Sequence, residues 1–477
     1  MSNLTDVGTI IDVLTPEFTA LSDAIWDHPQ LRWAEYDAVD RHIAVAEAHG
    51  ATITREIGGI PTAFSAEWGT DGPVIAFLGE YDALAGLSQA SGSTECAPDP
   101  DNTTGCGQGC GHHLLGAGAL LAAVSAAKFL AEKNLPGRVR YYGCPAEEAA
   151  AGKSFMVKAG AFADVDATVT WHPNSRTFTR QTRTVAYAQM YFHYRGVASH
   201  AGAAPHRGRS ALDAAELLNI GVNFLREHMP DSARIHYAFT DVGGESPNVV
   251  QEKSSIYYVV RAETVAEMRE LYERVFDVAR GAAQMTGTEL SIEFDGASAE
   301  ILPNDVLEEV LHRNVTELGP IPFDADDEAR AKTFADTYEA KELASERALM
   351  GLPRGDTRVL ADVVPPMDIT QPRQLISGST DVGDVSWVTP TVQIMTACMS
   401  MGTAPHSWQF VAQGKLPAAH KGMVYSAKAI AGTALDLFTD PNLLAQARKE
   451  FEETTAITPY DCPIPDGVIA PPLRNRA

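Results

Sequence analysis

Three apolar, strand-like runs near the start of this chain each end on a residue able to do chemistry, and that repetition most narrows the fold. The run 74–78 ends at Gly79-Glu80-Tyr81-Asp82, the run 138–142 leads through Pro145 to Glu147-Glu148, and the run 167–171 ends at His172. Helical stretches separate them, at about 7–28, 35–49, 114–130 and 154–161. Strands alternating with helices of this length predict an α/β unit. Open α/β sheets bind ligands beyond the carboxyl ends of their strands, so the polar residues at these ends are expected to meet along one edge.

Cys110-Gly111-His112 lies in a glycine-rich loop, 105–113, that opens directly into the apolar stretch. A thiol and an imidazole two residues apart, on backbone free to bend, can close on one metal ion. A fourth strand, 391–397, precedes Pro405-His406-Ser407-Trp408. Cys110, His112, Glu148, His172 and His406 form a ligand set suited to zinc or manganese. Neighbouring side chains on a turn diverge, so one acid of Glu147-Glu148 can bind metal while the other faces substrate and moves a proton. Glu80 and Asp82 read either as further ligands or as hydrogen-bond partners of the 105–112 loop. The second reading is preferred, because the other five candidates already fill two metal sites. Cys106 reads as a packing residue and His113 as support behind the ligands.

The pattern changes near residue 183. Strand-like runs at 185–195, 233–242, 254–261 and 289–294 are interleaved with helical runs at 210–228 and 265–285. The order βαββαβ is the ferredoxin-like arrangement, and a complete unit in mid-chain predicts an inserted second domain at 185–298, with 1–184 and 299–477 forming the first. Ser199-His200-Ala201-Gly202, Pro205-His206-Arg207-Gly208 and Asn248 sit on its turns and are candidate substrate contacts. The charged segment 324–357 reads as a solvated helical excursion, and the tail from 458 as an extended surface segment.

A length of 477 residues suits two domains. The formal net charge of −25 argues against nucleic acid or an anionic membrane as partner. It also means that an anionic substrate needs local positive or donor groups, for which Asn248, Arg207 and Arg261 are candidates. Six cysteines in a chain this long make no disulfide framework. With no export-signal pattern at residues 1–15, they are expected to be reduced and the chain cytoplasmic. No uninterrupted apolar run is expected to span a bilayer.

Cys-Gly-His, Glu-Glu, His172, Ser199-His200-Ala201 and His406 together resemble the M20 metallopeptidases, in the amidohydrolase branch that uses cysteine as a metal ligand. The resembling stretches run from 25–29 to 419–423, so the likeness is full-length. It implies a mixed-sheet α/β catalytic domain with an inserted lid that also makes a dimer. It implies two divalent ions per chain, manganese or zinc, held by Cys110, His112, Glu148, His172 and His406 with Cys110 shared. Glu147 takes the place of the general base and acid. His200 and Asn248 take the place of lid residues that contact substrate, with His200 reaching the neighbouring protomer's site. The implied reaction is hydrolysis of the amide bond of an N-aroyl or N-acyl amino acid, with p-aminobenzoyl-glutamate expected first. The alternatives are a broader N-acyl-amino-acid amidohydrolase or dipeptidase, or a non-catalytic partner subunit. The implied assembly is a homodimer or a heteromer with a paralogous subunit. Two positions depart from the pattern: His113 stands where asparagine or aspartate is usual, and alanines flank Glu147-Glu148 where glycines are.

Overall fold

The computed structural model describes residues 3–179, 182–364 and 366–474. Its strands in chain order are β1 (Thr52–Arg55), β2 (Phe64–Trp68), β3 (Val74–Glu80), β4 (Leu84–Ala85), β5 (Cys106–Gly107), β6 (Arg138–Cys144), β7 (Ala167–Asn174), β8 (Ala186–Arg195), β9 (Arg234–Asp241), β10 (Lys253–Ala262), β11 (Glu289–Ser298) and β12 (Thr391–Ala397). One sheet runs β1-β2-β6-β3-β7-β12. Strands β6, β3, β7 and β12 are mutually parallel, while β1 and β2 add an antiparallel edge, so the sheet is mixed. A mixed sheet is what the resemblance implies, although the strand pattern of the sequence shows neither β1 nor β2. β1 is four residues long and largely exposed, so it carries no apolar pattern to read.

Strand β3 is buried along its whole length, as a strand covered on both faces must be. Ile75 and Phe77 pack among the helices Asn3–Asp27, His112–Lys133 and Pro417–Thr439. Val74, Ala76 and Leu78 point to the other face, against Phe155 and Met156 of helix Gly152–Lys158. Helix His112–Lys133 corrects the expectation about apolar runs. By length and composition it is one helix that could cross a membrane, yet its apolar window is 83% buried inside the fold. It is a central core helix, apolar all round because it is covered all round.

The second sheet, β11-β8-β10-β9, is antiparallel throughout. With helices Ala211–Leu225 and Val265–Thr286, its elements follow the order β-α-β-β-α-β, as read from the sequence. Each helix begins at a side-chain cap, Ser210 accepting from Asp213 N and Thr264 from Glu267 N. Met190, Phe192, Tyr258 and Val260 pack against these helices. Gln189, Tyr257, Val259 and Arg261 face the other way, towards the strand ends of the first sheet.

Two segments read as surface are helical and extended as expected and largely exposed, but each is anchored to the fold. The charged segment holds helices Ala325–Ala335 and Ala340–Leu349, and it is docked. Phe334 is buried, and Glu346 accepts hydrogen bonds from Ser175 Oγ at 2.9 Å and Gly402 N at 2.9 Å. The tail is also fixed, with Ile464 buried and Tyr460 donating to Asp384 Oδ1 at 2.6 Å. Sparse apolar residues hid both contacts from a pattern-based reading.

Candidate metal centre

The four parallel strands deliver their chemistry to one edge. Glu80 ends β3, Glu147 and Glu148 follow β6, His172 lies in β7 beside Met395 of β12, and the chain after β12 leads to His406. The Cys110 loop closes over this edge. Gly111 has φ +79°, which a glycine adopts without strain. A Cβ there would lie 3.0 Å from Pro173 Cγ and 3.1 Å from Phe410 Cε1. That tight turn lets Cys110 and His112 both face inward. His406 N donates to Gly109 O at 2.9 Å, which ties the fourth strand's loop to the cysteine loop.

Asp82 fixes two candidate ligands with one carboxylate. Its Oδ1 lies 2.8 Å from His112 Nδ1, and its Oδ2 accepts from Glu148 N at 2.8 Å. Both neighbours of Nδ1 are acceptors, so it carries a proton, and Nε2 is the ring atom turned into the site. His172 is set similarly, its Nδ1 2.8 Å from Pro173 O. Asp82 thus takes the loop-holding role. Glu80 does not: its Oε2 faces the site, 3.2 Å from His112 Nε2, while its Oε1 is 2.5 Å from Lys153 Nζ.

Among the described residues, three groups each bring their potential ligand atoms within 4.8 Å of one another: Cys110–His112–His172, Cys110–Glu148–His406 and Glu80–His112–Glu147. Cys110 belongs to the first two and links them. His112 Nε2, Glu148 Oε1 and Glu80 Oε2 are buried and make no well-formed hydrogen bond, although His112 Nε2 and Glu80 Oε2 lie 3.2 Å apart and Glu148 Oε1 lies 3.1 Å from His406 Nε2. Buried polar atoms are rarely left so, and these converge with a thiol. The donor set of sulfur, imidazole and carboxylate fits zinc or manganese.

Glu147 is held well above the usual carboxylate range, first by burial and then by the negative charges of Glu80 and Glu148. Burial also works against the Glu80 carboxylate, but Lys153 and His112 outweigh it and hold Glu80 below its ordinary value. Lys153 is itself fully buried, with Nζ 2.6 Å from Asp381 Oδ1. Breaking such a buried pair costs about 3–5 kcal/mol, so Glu80 is fixed in place. The residues before and after Glu147-Glu148 explain why glycines suit that turn: Ala146 and Ala151 have φ of 56° and 58°. Behind it, Glu35 is buried, accepts from Ala146 N at 2.8 Å, and is pushed up to about 8 by burial and the Asp82 charge.

A cavity of about 790 Å³ opens beside the cluster. Leu84, Cys110, Glu147, Glu148, His172 and His406 line one side, and Arg234, His236, Val259 and Arg261 of the second sheet line the other. Arg261 donates to Ser379 Oγ at 2.9 Å. His200 and Asn248 lie elsewhere, beside each other on an exposed tip, where Ala201 N donates to Asn248 O at 2.8 Å. His200 Nδ1 accepts from Gly202 N at 3.1 Å and Ala203 N at 3.0 Å, leaving Nε2 to point away. His113 is not placed behind the ligands: its Nε2 lies 3.0 Å from Gly414 O, on the far side of the helix start. Cys106 is buried and outside all three ligand groups.

Sequence reasoning passed over Lys153, Asp381, Glu35, Arg234 and His236. A lone lysine beside the apolar run 154–157 was the available signal for the first. For the rest, long-range pairing decides, and no local pattern reports it.

Residues 76–453 match the peptidase family M20/M25/M40. The chain is 42% identical to one of the subunits of p-aminobenzoyl-glutamate hydrolase from Escherichia coli K12, over 98% of this chain and 98% of that protein. It is 31% identical to the Xaa-Arg dipeptidase of Mus musculus, over 93% and 90% respectively. Among solved structures, the aminobenzoyl-glutamate utilization protein from Klebsiella pneumoniae shares the fold with a TM-score of 0.62 at 16% identity, over 90% of this chain and 98% of that one.

Proposed function

We propose a reaction for a chain that belongs to peptidase family M20/M25/M40, and that is therefore a metal-dependent amide hydrolase. The substrate is an N-aroyl or N-acyl amino acid, with p-aminobenzoyl-glutamate, cleaved to p-aminobenzoate and glutamate, as the first to test. The carrying observation is the pair of ligand groups joined at Cys110, opening on a cavity whose far wall carries Arg261. The near-complete, 42% identical match to a protein of that named activity supports the substrate. A complete ligand set weighs against a silent partner subunit.

In this reading Cys110, His112 and His172 would hold one divalent ion and Cys110, Glu148 and His406 a second, manganese or zinc. Such ions supply Lewis acidity to the reacting carbonyl and the attacking water. Glu147 belongs to neither Cys110 group, so its carboxylate is left to take a proton from that water and deliver it to the leaving nitrogen. Arg261 receives the α-carboxylate of the substrate. Leu84 and Phe410 offer the aryl ring an apolar wall. Metal-loaded protein is expected to release p-aminobenzoate from p-aminobenzoyl-glutamate, and chelated protein to release none. No turnover of any N-aroyl or N-acyl amino acid by loaded protein would refute the reading.

Residues 185–298 serve as a lid and dimerisation domain on a catalytic domain made of 1–184 and 299–477. Phe224, Tyr237 and Phe239 on its outer surface are exposed and suit a contact between protomers, in a homodimer or with a paralogous subunit. His200 and Asn248, remote from their own cavity, then reach the neighbour's site, where His200 donates to the developing oxyanion. Six free thiols fit a cytoplasmic setting. Glu147→Ala and His200→Ala are each expected to be nearly inactive. Mixed dimers of the two contain one site with both residues intact, so co-expression should partly restore hydrolysis. Mixed dimers with no recovered activity would assign His200 to its own chain or to structure.

A further inference from the structure

The cavity wall opposite the ligand cluster holds two arginines in direct register. In the β9–β10 pairing, Arg234 stands opposite Arg261 and His236 opposite Val259. Side chains alternate along a strand, so these four share one face, and all four line the cavity. Like charges directly opposite each other destabilise a sheet. Here no ion pair among the described residues offsets them. Arg261 bonds to Ser379 Oγ and lies over the Tyr187 ring, 5.6 Å from its centroid. Arg234 donates to the carbonyl oxygens of Asp231 and Ala233. Neither has an ion-pair partner among the described residues. The only carboxylates lining the cavity, again among the described residues, are Glu147 and Glu148, both in the ligand cluster. In a chain with a net charge of −25, two arginines opposite each other in register with no ion-pair partner among the described residues are conspicuous, and an anion is what the pair lacks.

We propose that Arg234 and Arg261 form a two-carboxylate subsite that selects substrates whose leaving amino acid is itself acidic. This deepens the hydrolase reading and rests on it. Arg261, nearer the cluster and close enough to Glu147 to feel its charge, takes the α-carboxylate. Arg234, one strand further out and exposed at the rim, takes the side-chain carboxylate. His236 has its proton affinity lowered by partial burial and by Arg261, Arg226 and Arg234, and its ring lines the same face. A dicarboxylic amino acid such as glutamate matches this spacing of charges. A leaving arginine would bring a third guanidinium to the pair, so the wall excludes the kind of product named for the dipeptidase relative.

The test compares p-aminobenzoyl-glutamate with p-aminobenzoyl-glutamine on the metal-loaded enzyme, which isolates one side-chain charge. Wild type is expected to favour the acid in kcat/KM by about 10–100-fold, the factor carried by a charge-assisted hydrogen bond. In Arg234→Gln that ratio should fall to near unity, chiefly through a higher KM for the acid. Arg234→Lys should keep part of it. Arg261→Gln should damage both substrates, since both present an α-carboxylate. Calorimetric binding of L-glutamate and L-glutamine to the same holoenzymes supplies a readout that needs no turnover. If loaded wild type cleaves neither substrate but binds glutamate over glutamine, and loses that preference in Arg234→Gln, the hydrolase reading fails and the subsite stands. Equal kcat/KM for acid and amide in wild type, or an undiminished ratio in Arg234→Gln, would overturn the subsite while leaving the hydrolase reading intact.

Discussion

Glu147→Gln is expected to lower kcat for p-aminobenzoyl-glutamate about 10²–10⁴-fold, the usual contribution of a positioned general base, with metal content and KM nearly unchanged. The amide keeps the shape of the side chain and cannot accept the proton. Glu147 lies outside both Cys110 groups, its Oε2 3.8 Å from His112 Nε2, so the ions keep their ligands. The pH profile should change in a defined sense. Burial, Glu80 and Glu148 all favour the protonated form of Glu147, and only the ionised form can act as base. Wild-type activity should therefore rise with pH through the Glu147 titration, and that acid limb should vanish in Glu147→Gln. Near-normal kcat in the variant would assign the base to another residue.

Cys110→Ala is expected to cost both ions, whereas Glu148→Ala costs one. Cys110 is common to the two ligand groups, while Glu148 belongs to one. A methyl group supplies no donor, which leaves two imidazoles in the first group and one carboxylate with one imidazole in the second. A ligand that binds only the folded state raises its stability by mass action. Added manganese or zinc should therefore raise the Tm of wild type and of Glu148→Ala, and leave Cys110→Ala almost unmoved. Metal analysis after gel filtration reads the same difference directly. Two equivalents retained by Cys110→Ala would show that the thiol is not a shared ligand.

The convergence of the candidate ligands was legible in the sequence because each sits at a strand end or helix start, where short apolar runs point to it. Val74, Arg138, Ala167 and Thr391 each begin an observed strand where the pattern put one. What stayed hidden depends on distance in the chain. Asp82 and Glu80 are two residues apart on the same strand end, and opposite neighbours give them different tasks: the His112 Nδ1 edge for one, Lys153 for the other. Lys153 meets Asp381 across 228 positions of sequence, and no local periodicity encodes that pairing. The facing of Arg234 and Arg261 depends on strand register across the loop 242–252. A one-residue slip of β9 would turn Arg234 to the other face, away from Arg261, and a loop of that length does not fix register as a two-residue hairpin turn would. Arg261 could be named from its charge alone, but Arg234 needed its partner strand.

Every catalytic step above depends on a two-ion centre built on Cys110, and a metal titration can decide whether it exists. Chelated protein is titrated with manganese, and separately with zinc, while bound metal and p-aminobenzoate release are followed together. Binding is expected to saturate at two equivalents per chain, with full turnover arriving only with the second. Full activity at one equivalent, or turnover by metal-free protein, would contradict a two-ion centre.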